Sequence, residues 1–460
     1  MQVFEESFHE ILKTKGKEET FVNVKQRLAA DFAERSSALQ LKEPSWFNDD
    51  TNYQDCINEA IDFKVDNMVM LLHELFDSTL VSFAKEGNEK CVSACLASGY
   101  APTQRNEMGQ TALHTAAMNG HAVIVRSLVS QIKLKEGYEE IIDLADSRHR
   151  TALHYGAECG FPEVVEILLE TGANINKSEE VQEISDDVLA PRTPLKPQHD
   201  KDKDIKKKGR ELKRDKVRSS TFPPPVSPPS LTPLHLAVSN GRTNVVAVLV
   251  QPRWGCDVMK TQSEQGLCAL HMAASHGHAE IATLLLQAGH QINVESSGGT
   301  PPLHMAAESN KAEVVKVLLS NKCDINKLGP HRETALQVSA RNGHVEVVRL
   351  LVASGANVNS RDEWGQTALH LAAIHGDSQG VGSLLAKHKD LLDELDLDNR
   401  TPLHNAAEYG HVDACQKMLE FKCDISVRDR HGDPETPESL CVPFEDSTAH
   451  EICTLCRGVR

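Results

Sequence analysis

The chain has 460 residues, 40% of them apolar and only 4% aromatic, and its 49 Lys and Arg stand against 66 Asp and Glu for a formal charge of −17. That balance argues against a general nucleic-acid binder, which needs a basic surface, and it opposes self-association. The longest aliphatic run, from Val245 to Val250, is far short of the ~20 residues a membrane helix needs, so no span is expected in this chain.

Residues 1–54 are charged and only patchily helical in spacing, and their start lacks the basic residues and apolar run of a secretory signal. Trp46 and Phe47 are expected to fold back as a cap on the segment that begins at residue 55, with a linear partner motif as the alternative. A pattern then begins, faintly near Asp55 and in worn form at Ser78. It becomes clear at Thr111, where Thr-Ala-Leu-His is followed by Ala116-Ala117 and Gly120. The same tetrad starts at Thr151, Thr232, Cys268, Pro301, Thr334, Thr367 and Thr401. The steps from 78 to 111 and from 268 to 301, 334 and 367 are each 33 residues. Seven extra residues between Leu128 and Thr151 predict a longer second helix or loop.

The step from 151 to 232 is 81 residues and holds a different kind of sequence at 177–231. It opens acidic, carries ten basic against four acidic residues over 201–218, and ends Pro-rich at 222–230. Such a composition cannot support a packed core, and a disordered insert leaving the stack at a turn is expected. The run from Lys206 to Lys216 reads as a nuclear-import or anionic-surface signal. The Pro-Val-Ser-Pro from Pro225 to Pro228 reads as a ligand for an SH3 or WW domain. Thr193 and Ser227, each before proline, read as phosphorylation sites. Residues 431–460 read as a degenerate last repeat or cap. Their Cys453 and Cys456 form a lone C-x-x-C, expected to pack rather than bind metal. Ile452 and Leu455 have little polar cover, so the chain is expected to be part of a longer product.

Each chemical choice in the repeat has a physical reason. Thr caps a first helix, and Pro suits its first turn, where its missing N–H would be unpaired anyway. Leu points inward, and the Ala-Ala pair lets the neighbouring repeat come close. Gly ends the helix in a left-handed conformation. A second helix comes next, with apolar residues at helical spacing such as Val345, Val347, Val348, Leu350 and Leu351. A fixed period of 33 with Thr-Pro-Leu-His-x-Ala resembles the ankyrin-repeat family over about residues 55–430. The resemblance implies an all-α solenoid of helix-turn-helix units with projecting β-turn or hairpin fingers, in which repeats occupy 55–176 and 232–430. Residues 391–419 also look like repeats of the transient receptor potential ankyrin channels. This implies an alternative, the cytosolic domain of a membrane protein whose pore lies outside this chain. By resemblance, Asn176, Asn326 and Asn359 are candidates for asparaginyl hydroxylation, beside the plainer role of stabilising a turn.

Seven tetrad histidines, from His114 to His404, share one register. Stacked helices would hold them roughly 10 Å apart, too far to share a metal, so they are expected to tie each tetrad to neighbouring backbone. No phosphate loop, dinucleotide fingerprint, zinc-protease helix or nucleophile elbow is present. Neither an enzyme nor a cofactor is expected. Cys91, Cys95, Cys268 and Cys415 fall at helix positions and suggest a reducing, cytoplasmic setting. Function is then expected on the concave face, as protein binding. Its candidates are Met118, His276, Arg341, Ile374, His375, Glu408 and Tyr409 at first-helix ends, and Arg148, His149 and Trp364 at finger tips. Trp364 and Tyr409 lead, because exposed aromatics are enriched among binding hot spots.

Overall fold

The computed structural model describes residues 80–97, 99–135, 137–179, 230–260 and 265–428. Within them, helix pairs repeat along the chain. The first helices are Leu80–Glu86, Ala112–Met118, Ala152–Cys159, Pro233–Ser239, Ala269–His276, Pro302–Glu308, Ala335–Arg341, Ala368–His375 and Pro402–Glu408. Their partners are Glu89–Ala97, Ala122–Ile132, Pro162–Glu170, Thr243–Leu249, Ala279–Gln287, Ala312–Ser320, Val345–Ala353, Ser378–Leu385 and Val412–Glu420. Consecutive first helices pack on one another, and so do consecutive second helices, giving two layers. The first-helix row packs more closely because its seam is lined by fully buried alanines such as Ala116, Ala117, Ala372 and Ala373. Leu113, Leu153, Leu336 and Leu369 are buried between the layers. Truncating one of them to Ala removes roughly 2–5 kcal/mol.

The helix starts keep the expected Thr cap, with the Thr232 and Thr334 hydroxyls accepting from His235 N and Gln337 N at 3.5 and 3.3 Å, and add a second bond to it. The tetrad residue is extended, as at Thr367 (φ −88°, ψ 170°). Its backbone N–H donates to the imidazole three residues on. Thr111 N lies 3.1 Å from His114 Nδ1, and Thr367 N lies 3.2 Å from His370 Nδ1. This is a capping box in which histidine replaces the usual Glu or Gln. Cys268 stands at such a cap, not inside a helix, and its N–H donates to His271 Nδ1 at 3.2 Å. At Thr334 the Gln337 side-chain oxygen accepts the same bond at 2.8 Å. Pro301 has no N–H to give, and His304 Nδ1 there has no partner. At the other end, Gly376 has φ 82°, and a Cβ on it would run into the His411 ring.

The seven extra residues build helix, not loop. Ala122–Ile132 is 11 residues long, and a short helix, Tyr138–Ile142, comes after it with Ile142 buried. No strand occurs among the described residues, where an isolated bridge joins Arg105 to Thr111. The fingers are therefore turns, each closed by two backbone bonds: Asp146 N to Arg150 O at 2.9 Å with His149 N to Asp146 O at 3.0 Å, Asp362 N to Gln366 O with Gly365 N to Asp362 O, both at 3.2 Å, and Asp396 N to Arg400 O at 3.0 Å with Asn399 N to Asp396 O at 3.1 Å.

Helix packing continues across the long insertion, Ala152–Cys159 lying on Pro233–Ser239 and Pro162–Glu170 on Thr243–Leu249. Glu179 N donates to Leu231 O at 3.0 Å, so the chain leaves and returns at adjacent points. The expected N-terminal cap and first worn repeat, the motifs at Thr193, Ser227, Lys206 to Lys216 and Pro225 to Pro228, and the terminal Cys453 and Cys456 lie outside the described residues. Among those described, no helix is long and apolar enough to cross a membrane.

Candidate protein-binding surface

The tetrad histidines form a ladder between repeats. A backbone amide can only donate, so Nδ1 accepts and the proton of the neutral ring sits on Nε2. Nε2 then donates to a carbonyl of the next repeat: His114 to Arg150 O at 3.0 Å, His271 to Thr300 O at 3.0 Å, His304 to Glu333 O at 2.9 Å, His370 to Arg400 O at 3.1 Å. Burial pushes the imidazoles of His154, His235, His271 and His370 down to about 4. Gln337 fills the place with an amide, its Nε2 donating to Gln366 O at 2.8 Å and Ser360 O at 3.2 Å. A second ladder runs the other way. His121, His344 and His411 reach back to Lys85 O, Glu308 O and Ile374 O at 3.1, 2.9 and 2.9 Å. These rings hold the frame. Among the described residues no group of three or more His, Cys, Asp or Glu is placed to hold a metal.

Several of the exposed large apolar side chains lie at or beside the finger tips: Met108, Trp364, Leu395 and Leu397. Backbone bonds tie tip to tip: Ser147 N to Met108 O at 3.2 Å, Glu363 N to His331 O at 3.1 Å, Leu397 N to Trp364 O at 3.1 Å. Trp364 is 47% exposed on this braced row. Its ring centroid lies 5.4 Å from that of His331, whose Nδ1 is 2.8 Å from Glu363 Oε1. Leu397 packs on Gly365 and is exposed, as are Leu328 and Leu395. The consecutive tips thus set His331, Trp364 and Leu397 side by side along one row.

The remaining sequence candidates divide by place. Tyr409 is exposed and stacked on His411, with centroids 6.4 Å apart. His276 is exposed and stacked on His278. His375 is exposed and lies against Gly343 of the preceding repeat. Met118 and Ile374 are half-buried. Arg148 is exposed beside the half-buried His149, which holds φ 60°. Arg341 and Glu408 are engaged in ion pairs, to Glu333 at 3.0 Å and Arg400 at 2.6 Å. Asn176 Oδ1 accepts from Asp257 N and Asn326 Oδ1 from Asn357 N, both at 2.8 Å, and Asn359 N donates to Asn357 Oδ1 at 3.1 Å. Asn176 and Asn326 thus bridge adjacent repeats, while the Asn359 bond lies within its own turn.

A polar network beneath the tips goes beyond what the sequence pattern suggested. The residue just before a tetrad pairs with the eighth residue after it: Arg150 with Glu158, Arg400 with Glu408 and, charges exchanged, Glu333 with Arg341. Its signal in the sequence is opposite charges at a fixed offset around the tetrad. Arg150 also pairs with Glu179 at 2.6 Å, clamping the joint of the insertion.

A stack of helix pairs with braced, exposed tips and a neutral buried ladder defines a solenoid built to present surface. A family profile described as ankyrin repeats in three copies matches residues 80–179, 224–296, 270–362 and 354–429. The chain belongs to the ankyrin-repeat family, whose repeats are protein-interaction modules. It is similar to an ankyrin repeat-containing protein, P1E11.10, of Schizosaccharomyces pombe, 35% identical over 78 residues. That likeness spans 16% of this chain and 36% of the relative, so the chain covers about a third of that protein's length.

Proposed function

We propose that the chain is a non-enzymatic scaffold that holds partner proteins on its finger tips and first-helix ends, centred on the strip from His331 to Leu397. The observation that carries this is Trp364, a large aromatic half open to solvent on a row of tips fixed by backbone bonds. A rigid, exposed aromatic loses little entropy on binding and is what hot spots are made of. The thiols support a reducing, cytoplasmic setting: Cys95 and Cys256 are pushed up to about 12 by burial, and the cysteines among the described residues form no disulfide. Residues 391–419, which suggested a channel domain, build a tip and a helix pair of the same pattern as the rest, as either reading expects.

The test is selection of binders against the full chain from a random octapeptide display library. Binders that use the strip should lose more than ~1 kcal/mol on Trp364→Ala, with the helical circular dichroism unchanged. If every selected binder keeps its affinity for that variant, the strip is not the site.

A further inference from the structure

We infer that the base of the Trp364 finger is a subsite for a cationic side chain, a lysine or arginine of the bound partner. The inference rests on the scaffold reading and names the chemistry of its partner.

Equivalent positions in different repeats carry different charges. At the joint of the insertion a cation is wedged between two carboxylates: Arg150 meets Glu158 and Glu179, each at 2.6 Å. At the Thr334 repeat the order is inverted. A carboxylate, Glu333, stands where Arg150 stands, paired through Oε2 with Arg341 at 3.0 Å. Burial disfavours its charge, Arg341 opposes that, and a second acid nearby, Asp362, disfavours the charge further. Two oxygens here are buried and lack a hydrogen-bond partner, Glu333 Oε1 and Asp362 Oδ2. Glu333 is 3% exposed and Asp362 6%.

The unmet acceptor on Asp362 traces to one change in the repeat pattern. In the finger before Thr151, the matching Asp146 has its second oxygen satisfied by the Tyr155 hydroxyl at 2.6 Å. The residue in Tyr155's place relative to Asp362 is Leu371, which has nothing to donate. A buried carboxylate oxygen without a donor is costly. Arginine and lysine carry several donors and the opposite charge, and they meet both needs at once. Trp364, two residues beyond Asp362, adds an exposed aromatic face of the kind that attracts such cations.

The experiment uses the full chain and octapeptides selected on it, with counter-selection on Trp364→Ala to keep those that need the strip. The retained peptides should share a lysine or arginine at a fixed position. Replacing that residue by Gln should weaken binding about tenfold. On Glu333→Gln/Asp362→Asn, the basic and Gln peptides should bind nearly alike. Asn and Gln keep the oxygens that accept from Trp364 N, Gln366 N and Arg341, and thermal melting checks that the fold survives. Retained peptides with no basic residue, or a basic preference that persists in the double variant, would overturn the cation subsite and leave the strip reading standing. Should no peptide discriminate Trp364→Ala, the strip reading fails first and the subsite with it.

Discussion

The finger at Asp146 and the finger at Asp362 are built on one plan and finished differently. In both, the aspartate Oδ1 accepts two backbone amides, from Arg148 and Arg150 at 2.8 and 3.0 Å in one and from Trp364 and Gln366 at 3.0 and 2.7 Å in the other. In the first, burial works against the charge, but the Tyr155 hydroxyl and the amides outweigh it and the Asp146 pKa falls below the ordinary value. In the second, burial wins over the two amides and the Asp362 pKa rises. The first finger is gripped from the preceding repeat by a titratable group, His114, and the second by an amide, Gln337. The shared plan therefore secures the backbone, while single positions decide which finger is closed on itself and which keeps unused hydrogen-bonding capacity beside an exposed tryptophan.

Acid should separate the two fingers most strongly. The buried tetrad imidazoles of His154, His235, His271 and His370 sit at about 4 when folded, against about 6.5 in the unfolded chain. Between those values the unfolded chain binds more protons, so their stabilisation is complete above about pH 6.5 and is lost as pH falls toward 4. Each costs on the order of 2 kcal/mol at pH 5, making this the largest expected effect. Hydrogen exchange should show the Asp146 finger, under the likewise lowered His114, opening before the Asp362 finger. A melting temperature flat from pH 7.5 to 5, or the reverse order of opening, would refute this.

Next in size is Arg150→Met, which strips two carboxylates of their cation. Arg150, Glu158 and Glu179 are 18%, 32% and 12% exposed in their side chains, so the cost should be about 2 kcal/mol, below that of fully buried pairs. Burial already pushes Glu179 up, and it can take a proton in place of an unpaired charge, which limits the loss. Tyr155→Phe comes third, at about 1–2 kcal/mol. It should raise the Asp146 pKa toward the behaviour of Asp362, readable by carbon-detected NMR titration. An unmoved carboxyl would mean that the hydroxyl is not what sets the difference.

The helices, the alanine seams and the glycine ends were legible because each depends on one residue type at one register, repeated at a 33-residue step. The tie from tetrad histidine to neighbouring backbone was legible by the same logic, though not the direction of the bonds. What escaped the sequence depends on contacts made only after the chain has turned. Arg150 meets Glu158 across a helix start, Tyr155 meets an aspartate nine residues earlier, and Glu179 closes on Leu231 across the insertion. The binding candidates were placed by exposure rules alone. Those rules pick out Trp364, which is indeed exposed, but they do not reveal that Arg341 and Glu408 are committed to ion pairs.

The smallest effect is also the sharpest test of the comparison, since the same substitution should have opposite consequences in the two fingers. Asn keeps the Oδ1 that closes either turn. Asp146→Asn swaps the oxygen facing Tyr155 for a donor, leaving the hydroxyl proton without its acceptor, and should cost about 1 kcal/mol. Asp362→Asn removes a buried carboxylate that lacks a partner at Oδ2 and disfavours the neighbouring Glu333 charge. It should be neutral or stabilise by about 0.5 kcal/mol. Paired urea titrations of the two variants at pH 7.5 decide it. Equal losses would mean that Asp362 is as fully satisfied as Asp146, and the open finger would then have no spare acceptor to offer a partner.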